Sequence, residues 1–355
     1  MINISTVLES LNAALHQAFT ADERVYLLGE DVLDPYGGSF KVTRGLSTAF
    51  PSRVLTTPVS EAGITGLAAG MALRGLRPVV EIMFGDFVTL IADQVINHIA
   101  KFRWMYNDQV RVPLVIRTPM GGRRGYGPTH SQTLEKLYLG VPGLCVLAPC
   151  AFADNHTGEP GDLLKRAILE SEDPVLFIEN KLLYALPVQY PGTLVDFTLT
   201  PYPSIPIKDP GIWDMGVRFG PTYVLSICDA PPPILTITAY GYIAELARQA
   251  VLLLAYEHEI FTELVVPTQL APFTIDPILE SVRHTGRLLA IEEGTLTLGW
   301  GAEVITRTIE SLGSRLKAAR RLAARDLPIP ASGSLEAAVL PGVDEIVQAA
   351  HEMTE

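Results

Sequence analysis

The chain has 355 residues, room for two domains, and 48% of them are hydrophobic, ample for sizeable cores. A formal net charge of −12 provides no basic face for phosphates, which excludes nucleic-acid binding and leaves small-molecule chemistry or docking onto a basic partner. Three cysteines with no Cys-x-x-Cys pair indicate neither a zinc site nor a disulfide framework and fit a reducing cytoplasm, and no apolar run is long enough to span a bilayer.

The first residues, Met1 to Thr6, lack the basic start and long apolar core of a signal peptide. Residues 3–20 read as an amphipathic helix with Val7, Leu8, Leu11, Leu15 and Ala18 on one face. A buried strand over 25–28 ends at Gly29, and Gly37-Gly38 marks a flexible loop. A short strand over 53–57 stops at Pro58, and a helix opens at Glu61 with Ser60 as its N-cap. Gly63, Gly66 and Gly70 recur three and four residues apart, so they share one face of that helix. Each costs roughly 1 kcal/mol relative to Ala. Three together describe a tightly packed helix or one built for close approach by another backbone.

A strand over 77–82 follows. Residues 84–107 read as one long helix with Phe87, Ile91, Val95, His98 and Phe102 near one stripe. After a strand over 113–118, a glycine-rich loop over 120–128 carries Arg123, Arg124 and Tyr126 and ends at His130-Ser131-Gln132. The two arginines are candidates to steer an anionic substrate, although arginines on a loop are usually just solvated. A short helix, a strand over 144–148, a helix near 161–171 and a strand over 175–179 complete the unit. Strands alternating with helices imply a parallel sheet covered on both faces.

Recurrent prolines from Pro187 to Pro233 interrupt any regular run, so 186–232 reads as a linker with a hairpin or surface arm. A second α/β unit then has strands over 234–239, 261–265 and 288–292. Its helices cover 242–256, 276–284, 301–312 and 342–352. The domain boundaries expected are therefore 1–185, 186–232 and 233–355.

Glu61, Gly66, Leu67 and Gly70 match the Glu-x4-Gly-apolar-x-x-Gly pattern of thiamin-diphosphate enzymes. Gly29-Glu30-Asp31-Val32, the run from Tyr36 to Leu46 and Thr57-Pro58-Val59-Ser60 narrow the match. Together they resemble the β subunit of the first component of 2-oxo-acid dehydrogenases, the pyruvate and branched-chain class. The likeness runs through 1–185, thins over 186–232 and resumes to the C-terminus. It implies an α/β fold: a transketolase-like pyrimidine-binding domain on a parallel sheet, then a transketolase C-terminal-type domain. Ala331 departs from the family, which often has an aromatic there.

The resemblance implies roles for three residues. Glu61 would hold its carboxylate against the aminopyrimidine of thiamin diphosphate, whose carbanion chemistry the protein orients and tunes. Phe87 falls where an aromatic stacks on that ring, and His130 where a histidine faces the thiazolium side and either stabilises a developing carboxylate or oxyanion or passes a proton during acyl transfer. Glu61 and His130 are thus the catalytic candidates and Glu61 and Phe87 the cofactor-binding ones. The remaining histidines show no ligand spacing, and no metal is expected on this chain.

Gly-Asp-Gly, which commonly starts the diphosphate and Mg2+ site, is absent. The resemblance therefore implies half an active site, with Mg2+ and the diphosphate on an α subunit in a heterotetramer. The implied reaction is decarboxylation of a 2-oxo acid, pyruvate type, with reductive acylation of the lipoyl domain of a dihydrolipoyl acyltransferase. An acetoin dehydrogenase β subunit and a non-catalytic scaffold of the same fold are the alternatives. Intact Glu61 and His130 argue against the scaffold.

Overall fold

Apolar runs form the strands of the first half of the chain, buried almost residue by residue except in the edge strand Val54–Thr56. They are β1 (Val25–Gly29), β2 (Val54–Thr56), β3 (Arg77–Glu81), β4 (Val115–Met120), β5 (Cys145–Leu147) and β6 (Val175–Asn180). The computed structural model, which describes residues 5–202 and 219–355, pairs all six in parallel in the order β5-β6-β4-β3-β1-β2.

Both faces are covered. The Val7–Ala21 helix starts at a capping box, in which Thr6 Oγ1 accepts from the Glu9 backbone N–H at 3.2 Å and Glu9 returns the bond. Its Val7, Leu11 and Leu15, with Leu164 of the Pro160–Glu170 helix, pack on Leu27, Val79, Val115 and Phe177. On the other face Ile64 and Ala68 of the Glu61–Leu73 helix, with Val88, Ile91, Val95 and Ile99, pack on Leu28, Val80, Ile116 and Leu176.

The second half contributes β7 (Phe197–Tyr202), β8 (Thr222–Ile227), β9 (Leu235–Thr238), β10 (Thr262–Pro267), β11 (Gln269–Ala271), β12 (Arg287–Thr295) and β13 (Ala318–Ala324). Six of them form a sheet in the order β13-β12-β9-β10-β8-β7, parallel from β13 to β10 and antiparallel through β8 and β7. β11 instead joins the first sheet as its seventh strand, antiparallel to β5, with Gln269 opposite Leu147. The core is shared too: Tyr240, Ile278, Trp300 and Val304 lie in one cluster with Met120, Tyr138 and Val146. Among the described residues, no helix is long and apolar enough to cross a membrane.

Two elements differ from the sequence reading. Residues 84–107 are not one α-helix but a 3₁₀ segment (Gly85–Ile91), a wide π-type turn (Gln94–Ile99) and a short α-helix (Phe102–Met105). The changing pitch brings Val88, Ile91, Val95 and Ile99 into the core, so the buried stripe is theirs, and His98 is left exposed. The hairpin expected in 186–232 is the antiparallel pair β7–β8 on the edge of the second sheet; residues 203–218 of that stretch lie outside the described residues. The strand Ala318–Ala324 was not anticipated, because Ala-Ala-Arg-Arg-Leu-Ala-Ala has helix-favouring composition. Parallel pairing with β12 overrides that preference.

Candidate active site

In a parallel sheet every strand ends at the same edge, and that edge is where open α/β folds gather functional groups. Here Glu30 follows β1, Glu61 follows β2, Phe84 and Phe87 follow β3, the loop 121–130 follows β4 and Lys181 follows β6. Residues remote in sequence meet there because the strands are parallel.

Glu61 is the first residue of its helix and is 9% exposed. Among the described residues its carboxylate has no hydrogen-bond partner, while a helix N-terminus favours a negative charge. Ser60 holds the N-cap position, but its hydroxyl makes no capping bond. The turn is instead closed by the Ile64 N–H donating to the Ser60 carbonyl at 2.9 Å. Burial raises the Glu30 pKa, and the neighbouring charge of Glu61 raises it further. Glu30 Oε1 is buried without a partner. Two carboxylates thus sit side by side at the opening of the helix.

The glycine face of this helix is not used by the chain itself. Gly63, Gly66 and Gly70 are exposed, and a Cβ added at Gly66 or Gly70 would meet nothing within 4 Å. Leu67, between them, is 55% exposed, and Val59 before the helix is 79% exposed.

An aromatic wall stands on the same strand-end edge. The His130 ring lies edge-on to Phe87 at 5.3 Å and to Phe84 at 5.6 Å. Phe84 also stacks on Tyr126 at 6.2 Å and meets Phe40 at 5.7 Å. Thr129 Oγ1 is 3.0 Å from His130 Nδ1. Asp86 Oδ1 accepts from the backbone N–H and the side-chain amide of Gln132, at 3.2 and 2.8 Å, tying the turn after β3 to the loop after β4.

Buried acids of the second half hold that loop. Glu293 Oε1 accepts from the Gly122 N–H at 2.7 Å, and its Oε2 accepts from Asn180 Nδ2 at 3.1 Å. Glu336 accepts from the Arg123 N–H at 2.6 Å and the Gly125 N–H at 3.2 Å. Gly121 has φ +98°, and a Cβ there would lie 2.5 Å from Asn180 Nδ2, so glycine is required for this approach. Deeper between the halves, Glu292 accepts from the Trp300 and Gly301 N–H groups at 2.7 and 2.9 Å, and burial pushes its pKa up to about 7.

The two loop arginines part company. Arg123 Nη2 donates to the Pro341 carbonyl at 2.6 Å, so this side chain is a strut between the halves and not a reader of anions. Arg124 is exposed and lies over Phe40 and Tyr126, at 5.5 and 5.9 Å from the ring centroids.

The structure brings Phe87 and His130 into contact and places Glu61 on the same edge. It adds Glu30, Phe84, Glu293, Glu336 and Lys181, which sequence reasoning did not single out. A lysine directly after an apolar strand was the available signal for Lys181, and the Gly-Glu-Asp-Val run that of Glu30; nothing local marked Glu293 and Glu336, whose partners come from the other half of the chain.

Comparison with known proteins agrees with this fold. The family described as transketolase, pyrimidine binding domain, matches residues 5–187, and transketolase, C-terminal domain, matches 229–346. A mitochondrial pyruvate dehydrogenase E1 component subunit beta-2 of Oryza sativa subsp. japonica is 37% identical over 347 residues, which cover 97% of this chain and 85% of that protein. The pyruvate dehydrogenase E1 component subunit beta of Rickettsia bellii is 34% identical, covering 97% of each chain. A solved split-gene transketolase, described as an inactive beta4 tetramer, superposes with a TM-score of 0.71 over 98% of this chain and 97% of that one. At 18% identity it shows the fold alone. On its near full-length likeness to those subunits, the chain belongs to the family of pyruvate dehydrogenase E1 component beta subunits.

Proposed function

We propose that this chain is the β subunit of a thiamin-diphosphate-dependent 2-oxo-acid dehydrogenase of the pyruvate type, acting with an α subunit and passing the acyl group to a lipoyl domain of a dihydrolipoyl acyltransferase. The observation that carries this reading is Glu61: a nearly buried carboxylate at a helix start, without a partner among the described residues, on the same strand-end edge as Phe87 and His130. Such a carboxylate fits a heterocycle that needs a hydrogen-bond partner, and the Phe87 ring fits its flat face.

When bound, thiamin diphosphate supplies the carbanion chemistry that lets the bond to the carboxylate break. Glu61 would hold the aminopyrimidine through its ring nitrogen. Its charge acts strongly there because little water competes. Phe87 would orient that ring. Thr129 at Nδ1 of His130 leaves Nε2 as the ring atom that exchanges a proton with the acyl oxygen or the lipoyl thiol. The diphosphate and Mg2+ fall to the α subunit in this reading, because the chain lacks Gly-Asp-Gly. The open glycine face suits close approach by that second chain in a heterotetramer. Three free cysteines, two of them buried, suit a reducing cytoplasmic setting.

Glu61→Gln tests the reading in the reconstituted pair. The amide keeps size and hydrogen bonding but removes the charge. Proton exchange at C2 of bound thiamin diphosphate and 2-oxo-acid turnover should fall roughly a hundred- to a thousandfold, around 3–4 kcal/mol, with substrate binding little changed. Exchange at the wild-type rate would remove Glu61 from the chemistry and return the chain to a scaffold.

A further inference from the structure

We infer that Lys181 is a positioning residue for His130: its ammonium fastens the two ends of the loop that carries the histidine, and so fixes where the imidazole stands. The inference rests on the reading of His130 given above.

Lys181 follows β6 directly, and its backbone N–H donates to the Met120 carbonyl at 3.0 Å, which sets it beside the end of β4. Its side chain turns inward and the residue is 1% exposed. The ammonium donates to the Gly121 carbonyl at 3.1 Å, where the loop leaves β4, and to the carbonyl of His130 itself, where the loop returns. The faces of Phe84 and Tyr126 cover it, at 4.6 and 5.4 Å from the ring centroids. Phe84 is one of the two rings that hold the imidazole edge-on. The lysine therefore touches the histidine's backbone directly and its ring through one intermediate.

A pocket between two aromatic rings would accept Met or Leu at much lower desolvation cost. Burying an ammonium with no ion pair is expensive, and among the described residues no carboxylate pairs with Lys181. What calls for a cation is the pair of carbonyls, which no apolar side chain satisfies. Desolvation, the largest influence, lowers its pKa to about 8. Asp86 from the turn after β3, Glu293 from β12 and Glu336 from the Gly333–Val339 helix oppose that fall, while Arg124 from the loop adds to it.

A double-mutant cycle in the enzyme reconstituted with its α subunit tests this, using wild type, Lys181→Met, His130→Ala and the double variant. Lys181→Met should lower kcat roughly ten- to a hundredfold with KM for the 2-oxo acid nearly unchanged, the signature of a displaced rather than a missing group. In the His130→Ala background it should cost nothing further. Hydrogen exchange in peptides spanning 121–132 should quicken in Lys181→Met before any cofactor is added. Lys181→Gln, which keeps one donor, should recover part of the loss and slow that exchange again. Equal losses in both backgrounds overturn the inference and make Lys181 a support of the fold alone, as does failure of both Lys181 variants to assemble. A His130→Ala enzyme of full activity removes the histidine's role and the inference with it. A defective His130→Ala enzyme with additive losses removes the inference only.

Discussion

The loop that carries His130 and the helix that carries Glu61 stand on the same edge of one sheet, yet they are finished to different degrees. The loop is held by Glu293, Glu336, Asp86 and Lys181, all from this chain. The helix shows bare glycines, an exposed Leu67 and a carboxylate without a partner among the described residues. One polypeptide thus fixes the His130 side of this edge by itself and leaves the Glu61 side open to be closed from outside. Backbone amides need acceptors wherever they are buried, so the loop must be satisfied at folding. An exposed glycine face carries no such demand and can wait for a partner.

The largest way to break this contrast is to remove the loop's acceptors. Glu293→Ala together with Glu336→Ala strands the Gly122, Arg123 and Gly125 N–H groups. At about 1–3 kcal/mol for the buried Gly122 donor left unpaired, and less for the part-buried Arg123 and Gly125 donors, the isolated chain should lose about 2–4 kcal/mol in denaturant unfolding. An unchanged midpoint would mean that the loop is not pinned by these acids. The next test acts on the other side. Gly66→Leu should stabilise the isolated chain by up to about 1 kcal/mol, because an exposed helical glycine is replaced where no atom lies in the way. The same change should weaken assembly with the α subunit by about 1–3 kcal/mol, roughly five- to 150-fold, through overpacking. Assembly at wild-type affinity would make this face ordinary surface. The smallest effect belongs to Arg124→Ala, which should shift stability by no more than about 0.5 kcal/mol and leave KM for the 2-oxo acid unchanged. A tenfold or larger rise in KM, about 1.4 kcal/mol, would instead show that Arg124 reads the substrate's anion.

The sequence made the strand–helix alternation plain because parallel strands buried on both faces are written as unbroken apolar runs. Glu61 was legible through its glycines, and His130 through the loop that delivers it. The break in 84–107 was not, since an apolar spacing of three or four suits 3₁₀, α and π turns alike, and only packing on the sheet selects among them. Lys181 was not, since burial of a lysine depends on carbonyls and rings from β4 and the turn after β3. Glu293 and Glu336 were hidden for the same reason: each is an ordinary acid until the topology brings the loop's amides to it. The glycine face was legible as a feature, but a helix packed by its own chain and a helix reserved for another share one pattern.

The strand β11 has a consequence for the chain's integrity. Gln269–Ala271 belongs to the second half in sequence but caps the outer edge of the first sheet beside β5. Melting the second half would strip that cap and open the shared cluster around Trp300, Tyr138 and Val146 to solvent. The bared edge of β5 would present unpaired amides and carbonyls to any passing strand, the usual seed of aggregation. The two halves therefore denature cooperatively, and cutting the chain between them yields a sticky fragment instead of an independent module.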